Sequence, residues 1–229
     1  GQDSARVHIM QEHTNIVLIE KNGEVLVKSE PQDKSGTEGA IETAGQDDYA
    51  LLCMEGIYDF AQTVSIADVQ QLLDQQIAYN SAISREGLSQ DYGANIGSVL
   101  LKAYGNDIRT RAKAAAAAGS DARMDGCELP VVINSGSGNQ GMTASLPVVE
   151  YAKELNVGYE KMIRAVALSD LVTIHLKSGI GRLSAYCGAV SAGCGCGAGI
   201  AYLYGGGLKE IEHTIVNSIA IDSGMVCDG

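Results

Sequence analysis

The chain has 229 residues, with 16 Lys plus Arg against 28 Asp plus Glu and a formal net charge of −12. That balance argues against nucleic-acid binding, because neutralising phosphates needs a surplus of basic groups. A hydrophobic content of 45% is that of a globular chain and too rich for a disordered one. With 28 Gly, one Phe and no Trp, the core must be filled by aliphatic and small residues, and helices can approach one another closely.

No uninterrupted run of 18 apolar residues is present, so no membrane span is expected. The opening Gly-Gln-Asp-Ser lacks the basic and apolar regions of a secretory signal. Six cysteines (Cys53, Cys127, Cys187, Cys194, Cys196 and Cys227) without a leader point to a reducing, cytoplasmic setting, where they serve as thiols or metal ligands. The chain begins almost inside a strand and stops at Cys227-Asp228-Gly229 after an apolar helical run, which suggests a fragment of a longer protein.

In chain order, Val7 and Ile9 alternate with polar neighbours. Ile16 to Glu20 then leads through Asn22-Gly23 into Glu24 to Lys28, and Asn-Gly between alternating runs predicts a hairpin. Pro31 to Asp48 reads as a flexible connector. Ser65 is a good N-cap for a helix carrying Val69, Leu72, Leu73 and Ile77, with Gly87 near its end. Further helices are expected over Ile96 to Tyr104, from Asp107 to a stop at Gly119, and over Thr143 to Leu155, Tyr159 to Leu176, Arg182 to Tyr204 and Leu208 to Met225. The fold class expected is α+β, mostly α. A small β-hairpin-containing module and connector (1–50) precede an all-helical domain (51–229).

Three segments could carry chemistry. Asn134 to Gly141 (Asn-Ser-Gly-Ser-Gly-Asn-Gln-Gly) places glycines at a helix entrance, where free N–H groups and the helix dipole favour an anion. No Lys-Ser/Thr follows, so a carboxylate suits it better than a triphosphate; the alternative is a plain loop with an N-cap. In Gly119 to Gly126, Arg123 could clamp a carboxylate and Asp121 could orient it or take a proton. A surface ion pair for Arg123 is the more ordinary reading of that segment alone. Cys194-Gly195-Cys196 is too tight for a zinc knuckle, and both thiols read as small fillers of a buried helix, as do the isolated Cys53 and Cys127. Spacing alone does not single out Cys187 or Cys227. His175 reads as a core histidine, His213 as part of a solvated face and His13 as a turn residue.

Taken together, these segments resemble the L-cysteine desulfidase family, which is related to the α chain of the bacterial iron–sulfur L-serine dehydratases. The resemblance runs through His13-Thr14-Asn15, Ser84 to Ser89, Ser120 to Met124, Leu129-Pro130, Asn134 to Gly141, Arg182 to Cys187 and Ser223 to Gly229, across essentially the whole chain. It implies α,β-elimination without pyridoxal phosphate: L-cysteine would give pyruvate, ammonia and sulfide, and L-serine would give pyruvate and ammonia. It further implies a [4Fe–4S] cluster held by three cysteines, with Cys187 and Cys227 as two of them. The remaining site residues implied are Asp121 and Arg123 as catalytic groups, and Ser120, Ser135, Gly136, Ser137, Gly138, Asn139, Gln140, Gly141, His13 and Asn15 around the substrate. The family's third ligand cysteine and its Gly-Cys-Thr-Glu-Pro-like segment, which bears the base, do not occur in this chain. The resemblance therefore implies that the cluster belongs to a full-length parent and that this chain alone is inactive. A small amino acid is the expected partner, with no nucleic acid or membrane and with a homo-oligomer possible. A non-catalytic amino-acid sensor is the alternative from another class.

Overall fold

The computed structural model describes residues 3–9, 15–29, 51–181 and 184–226. The connector Pro31–Asp48, His13, Arg182 and Cys227 lie outside the described residues.

Three strands, β1 (Ala5–Ile9), β2 (Ile16–Lys21) and β3 (Glu24–Lys28), form an antiparallel sheet in the order β1-β2-β3. Val7 faces Ile19 across the first pair, and Leu18 faces Lys28 across the second. The hairpin falls where Asn-Gly placed it: Asn22 and Gly23 take φ of 52° and 83°, the left-handed pair that matches the twist of a two-residue turn. Asn22 also locks the turn to the first strand, its Oδ1 accepting from the Ser4 N–H at 2.7 Å.

Eight helices follow among the described residues: α1 (Met54–Thr63), α2 (Ile66–Ser89), α3 (Ile96–Tyr104), α4 (Ile108–Met124), α5 (Gly138–Glu154), α6 (Tyr159–Ser178), α7 (Ala189–Leu203) and α8 (Leu208–Ile221). The α+β, mostly α architecture expected from the sequence is the one observed. None of these helices is long and apolar enough to cross a membrane. Helices α5 and α6 carry the longest runs of buried side chains. One core joins Leu73 of α2 to Val148, Val149, Ile163 and Val166. A second joins Ile57 of α1 to Leu168, Val172, Ala198, Ile211 and Ile215, and a third packs Ile83, Ala115, Met142 and Leu146.

The helix boundaries differ from the sequence reading in four places, each with a physical cause. Gly119 does not stop α4, which continues to Met124. The missing side chain makes room for Met142 of α5, whose sulfur would lie 2.6 Å from an added Cβ. Helix α5 starts at Gly138, not Thr143, because the glycine loop itself supplies the first turn. Helix α7 starts at Ala189, not Arg182, and α8 ends at Ile221, not Met225. The displaced segments pair with each other: Tyr186 bridges Val226, and the Cys187 N–H donates to the Met225 carbonyl at 2.8 Å. Helix α1 had no sequence expectation; the Cys53 sulfur caps it by accepting from the Gly56 N–H at 3.4 Å.

Candidate functional site

The loop from Asn134 to Ser137 is a closed turn. The backbone N–H of each of these two residues donates to the carbonyl of the other at 3.1 Å. Ser135 and Gly136 between them take φ of 50° and 88°. The turn delivers the chain into α5 with Ser137 at the N-cap position, but no side chain caps the helix. The N–H groups of Gly138, Asn139 and Gln140 consequently find no acceptor among the described residues. Such a helix entrance carries partial positive charge and three aimed donors, and its natural guest is an anion.

Two glycines in the loop are there for contact. A Cβ on Gly141 would strike the Val132 carbonyl. One on Gly138 would come within 2.6 Å of Arg123 Nε and 2.7 Å of Val131. Arg123, in the last turn of α4, thus lies across the entrance of α5, where its Nη1 donates to Asn139 Oδ1 at 3.2 Å. Among the described residues no carboxylate stands within ion-pair distance of its guanidinium. Asn80, fully buried in α2, clamps the preceding segment: its Oδ1 accepts from the Val132 N–H at 2.9 Å and its Nδ2 donates to the Val132 carbonyl at 3.2 Å. Sequence reasoning passed over Asn80, which shares the buried face of α2 with Leu73, Gln76, Ile83 and Ser84.

Gln140 carries the loop toward the cysteines. Its side-chain amide rests directly on Gly188, where a Cβ would collide with it, and Gly188 follows Cys187. Gln140 Oε1 is buried with no hydrogen-bond partner among the described residues. Cys187, the residue before Gly188, lines a cavity of about 200 Å³ together with Cys194, Tyr186, Ile219 and Ser223. Cys187 is partly exposed there, whereas Cys194 is buried and desolvation pushes its thiol up. Burial pushes Cys196 up to about 12 as well, so both members of the Cys-Gly-Cys favour the neutral thiol. Buried Lys177 reaches the same segment, its Nζ donating to the Tyr186 carbonyl at 3.4 Å.

The remaining expected residues fall as follows. Ser120 is partly buried on α4. Asp121 is engaged elsewhere: its Oδ2 accepts from the Ile96 N–H at 2.6 Å and so holds the entrance of α3. Two helical positions are roughly 200° apart, so Asp121 and Arg123 face different ways and do not converge on one guest. Asn15 is exposed just ahead of β2. His13 and Cys227 lie outside the described residues, although Val226, the residue before Cys227, is the one paired with Tyr186. Among the described residues no group of three or more His, Cys, Asp or Glu side chains gathers into a metal site.

A protein-family model described as "Serine dehydratase alpha chain" matches residues 8–229. The chain belongs to the serine dehydratase alpha-chain family. A UPF0597 protein of Desulfitobacterium hafniense is 61% identical over 229 residues, covering all of this chain and 52% of that protein. UPF0597 proteins of Lachnoclostridium phytofermentans and Fusobacterium nucleatum are 53% and 44% identical, each again over the whole of this chain and 53% of the relative. The chain thus spans about half the length of the curated relatives it matches. No solved structure matches it.

Proposed function

We propose that the chain is part of a lyase that eliminates the β-substituent of a small amino acid without pyridoxal phosphate, with L-cysteine as substrate and pyruvate, ammonia and sulfide as products. The observation that carries this reading is the contact between Gln140 and Gly188. It sets an uncapped helix entrance, overlaid by Arg123, beside a cavity with Cys187 on its wall. The N–H groups of Gly138 to Gln140 and the Arg123 guanidinium take the substrate carboxylate, and Gln140 Oε1, which has no partner among the described residues, is an acceptor of the right kind for the ammonium group. In the elimination a base takes the Cα proton and sulfide leaves with the Cβ–S electron pair. The resulting enamine tautomerises to an imine, which water converts to pyruvate and ammonia.

The resemblance to iron–sulfur enzymes implies a [4Fe–4S] cluster in the full-length protein. The donor chemistry fits in kind: Cys187 is a partly exposed soft donor at a cavity wall, and Cys227 is the proposed second ligand. When bound, the cluster would supply Lewis acidity to the leaving group. Two thiolates do not complete such a site, so the proposal concerns the whole protein. Asp121 is assigned to holding α3 against α4, and Ser120, His13 and Asn15 remain proposed pocket residues.

The family description favours a second reading, L-serine dehydratase, in which the same site expels hydroxide. The full-length parent, reconstituted with iron and sulfide under anaerobic conditions, separates the two. Pyruvate and sulfide released together from L-cysteine support the first reading, and pyruvate from L-serine alone supports the second. An intact cluster with no product from either amino acid sinks both and leaves an amino-acid sensor.

A further inference from the structure

Asn134 opens the glycine loop, and both ends of its side-chain amide are used. Its Nδ2 donates to Asp170 Oδ1 at 2.9 Å and, less closely, to the Asp170 carbonyl at 3.3 Å; its Oδ1 accepts from Ser135 Oγ at 2.8 Å. The same Asp170 oxygen accepts from Gln76 Nε2 at 3.0 Å. Gln76 and Asn134 are 3% and 6% exposed, so neither amide has water as an alternative acceptor. One carboxylate oxygen on α6 therefore ties α2 to the loop.

The loop needs such a tie. Ser135, a residue with a Cβ, holds φ of 50° and Gly136 holds 88°, a left-handed pair that persists only where the surroundings impose it. Asn134 and Ser137 also close the turn through their backbones, so Asn134 is tied directly to Ser137, the residue from which the Gly138, Asn139 and Gln140 N–H groups follow.

We propose that Asp170 is a positioning residue of the amino-acid site: it fixes Asn134, and through Asn134 and Ser135 the aim of the Gly138–Gln140 N–H groups, by acceptor geometry and not by its charge. This rests on the functional reading above. An oxygen at this position receives two amide donors whether it belongs to a carboxylate or to an amide. Its removal strands both donors in a buried site and releases the strained turn.

The test uses the full-length parent with Asp170→Asn and Asp170→Ala. The readouts are calorimetric binding of L-alanine (the same carboxylate and ammonium, no leaving group), KM and kcat for L-cysteine and L-serine, and amide hydrogen exchange over residues 134–141. Asp170→Asn is expected to stay within about threefold of the parent in L-alanine affinity and KM. Asp170→Ala is expected to weaken L-alanine at least tenfold, to raise KM more than it lowers kcat, and to speed exchange in 134–141 while leaving α7 unchanged. Should Asp170→Ala fail to fold, Asn134→Ala cuts the same tie from the loop side and is read on the same scale. Loss of kcat in Asp170→Asn with KM preserved would show that the carboxylate itself carries a proton, and would overturn the proposal. So would an Asp170→Ala protein with parental L-alanine affinity and loop exchange. If the parent neither binds L-alanine nor turns over either substrate, the amino-acid reading falls. Exchange over 134–141 in the Ala and Asn variants then still decides whether Asp170 positions the loop.

Discussion

Arg123 and Gly138 depend on each other. The arginine crosses the helix entrance only because the glycine has no side chain, with Nε 2.6 Å from where a Cβ would stand. A charge-assisted hydrogen bond is worth about 1.5–3 kcal/mol. On the proposed function, Arg123→Met, which keeps the packing stem and loses the donors, is accordingly expected to raise KM for the proposed amino-acid substrate by tenfold or more. Steady-state kinetics on the parent and variant check this, and an unchanged KM would remove Arg123 from the site. Asp170 gives a second prediction at this scale. Desolvation raises its carboxyl from an ordinary 3.8 to about 6, against the opposing hydrogen bonds from Gln76 and Asn134. Between those two values the folded chain keeps a proton that the unfolded chain has released. Unfolding therefore releases a proton there, and stability falls as pH climbs from about 4 to about 6, then levels. Asp170→Asn keeps the acceptor and has nothing to titrate. Chemical denaturation from pH 4 to 8 should show the variant gaining on the parent chain through that window and holding its lead above it. Parallel curves would mean that the Asp170 carboxyl is not desolvated.

At the scale of elements, glycine decides how closely the helices meet. Gly87 in α2 lies against α4, where a Cβ would run into the backbone carbonyl of Ala118. Gly119 in α4 faces the side-chain sulfur of Met142 closely and the Ser84 backbone only at ordinary contact distance. Gly→Ala inside a helix gains roughly 1 kcal/mol of propensity, whereas overpacking against a rigid neighbour costs about 1–3 kcal/mol. Gly87→Ala should therefore destabilise the chain by up to about 2 kcal/mol and Gly119→Ala should be near neutral, as measured by urea midpoints; equal effects would contradict the packing described. The same contrast explains what the sequence disclosed. Strands, hairpin and most helices were legible because apolar periodicity and Asn-Gly are local signals. Gly119 looked like a helix end because a glycine's local meaning is termination, while its meaning here lies on another helix; Gly87 does stand near the end of α2, and it meets α4 as well. The loop and Arg123 announced themselves by residue type. The Asn80, Gln76 and Asp170 supports did not, since each acts across tens of residues of sequence: Asn80 on Val132, Gln76 on Asp170, and Asp170 on Asn134. The pairing of Tyr186 with Val226 was hidden for the same reason, because both segments continue plausible helices in sequence.

For the whole molecule, a formal charge of −12 is the dominant electrostatic fact. The ion pairs among the described residues join Arg111 to Glu150 and Glu154, Lys153 to Glu150, and Arg164 to Glu160. Every one of these side chains keeps some exposure to solvent, and such contacts contribute about 0–1 kcal/mol each. Added salt weakens these few attractions, but it weakens a larger set of like-charge repulsions, since 28 acidic groups face 16 basic ones. Raising sodium chloride from about 10 to 200 mM should therefore raise the melting temperature of the chain by a few degrees, and a fall would show that the pairs outweigh the net charge. The same field bears on the ligand. A zwitterionic amino acid with a protonated thiol or a hydroxyl carries no net charge at pH 7, so an acidic surface does not repel it from a site that binds its carboxylate. An amino acid with a second carboxylate meets the repulsion at every distance inside the screening length. Affinity for L-alanine should then vary little between those salt concentrations, whereas L-aspartate should bind weakly at low salt and gain as salt is added. A site that preferred L-aspartate at low salt would have to hold a cationic cluster larger than Arg123, and the loop reading would give way to one built on that cluster.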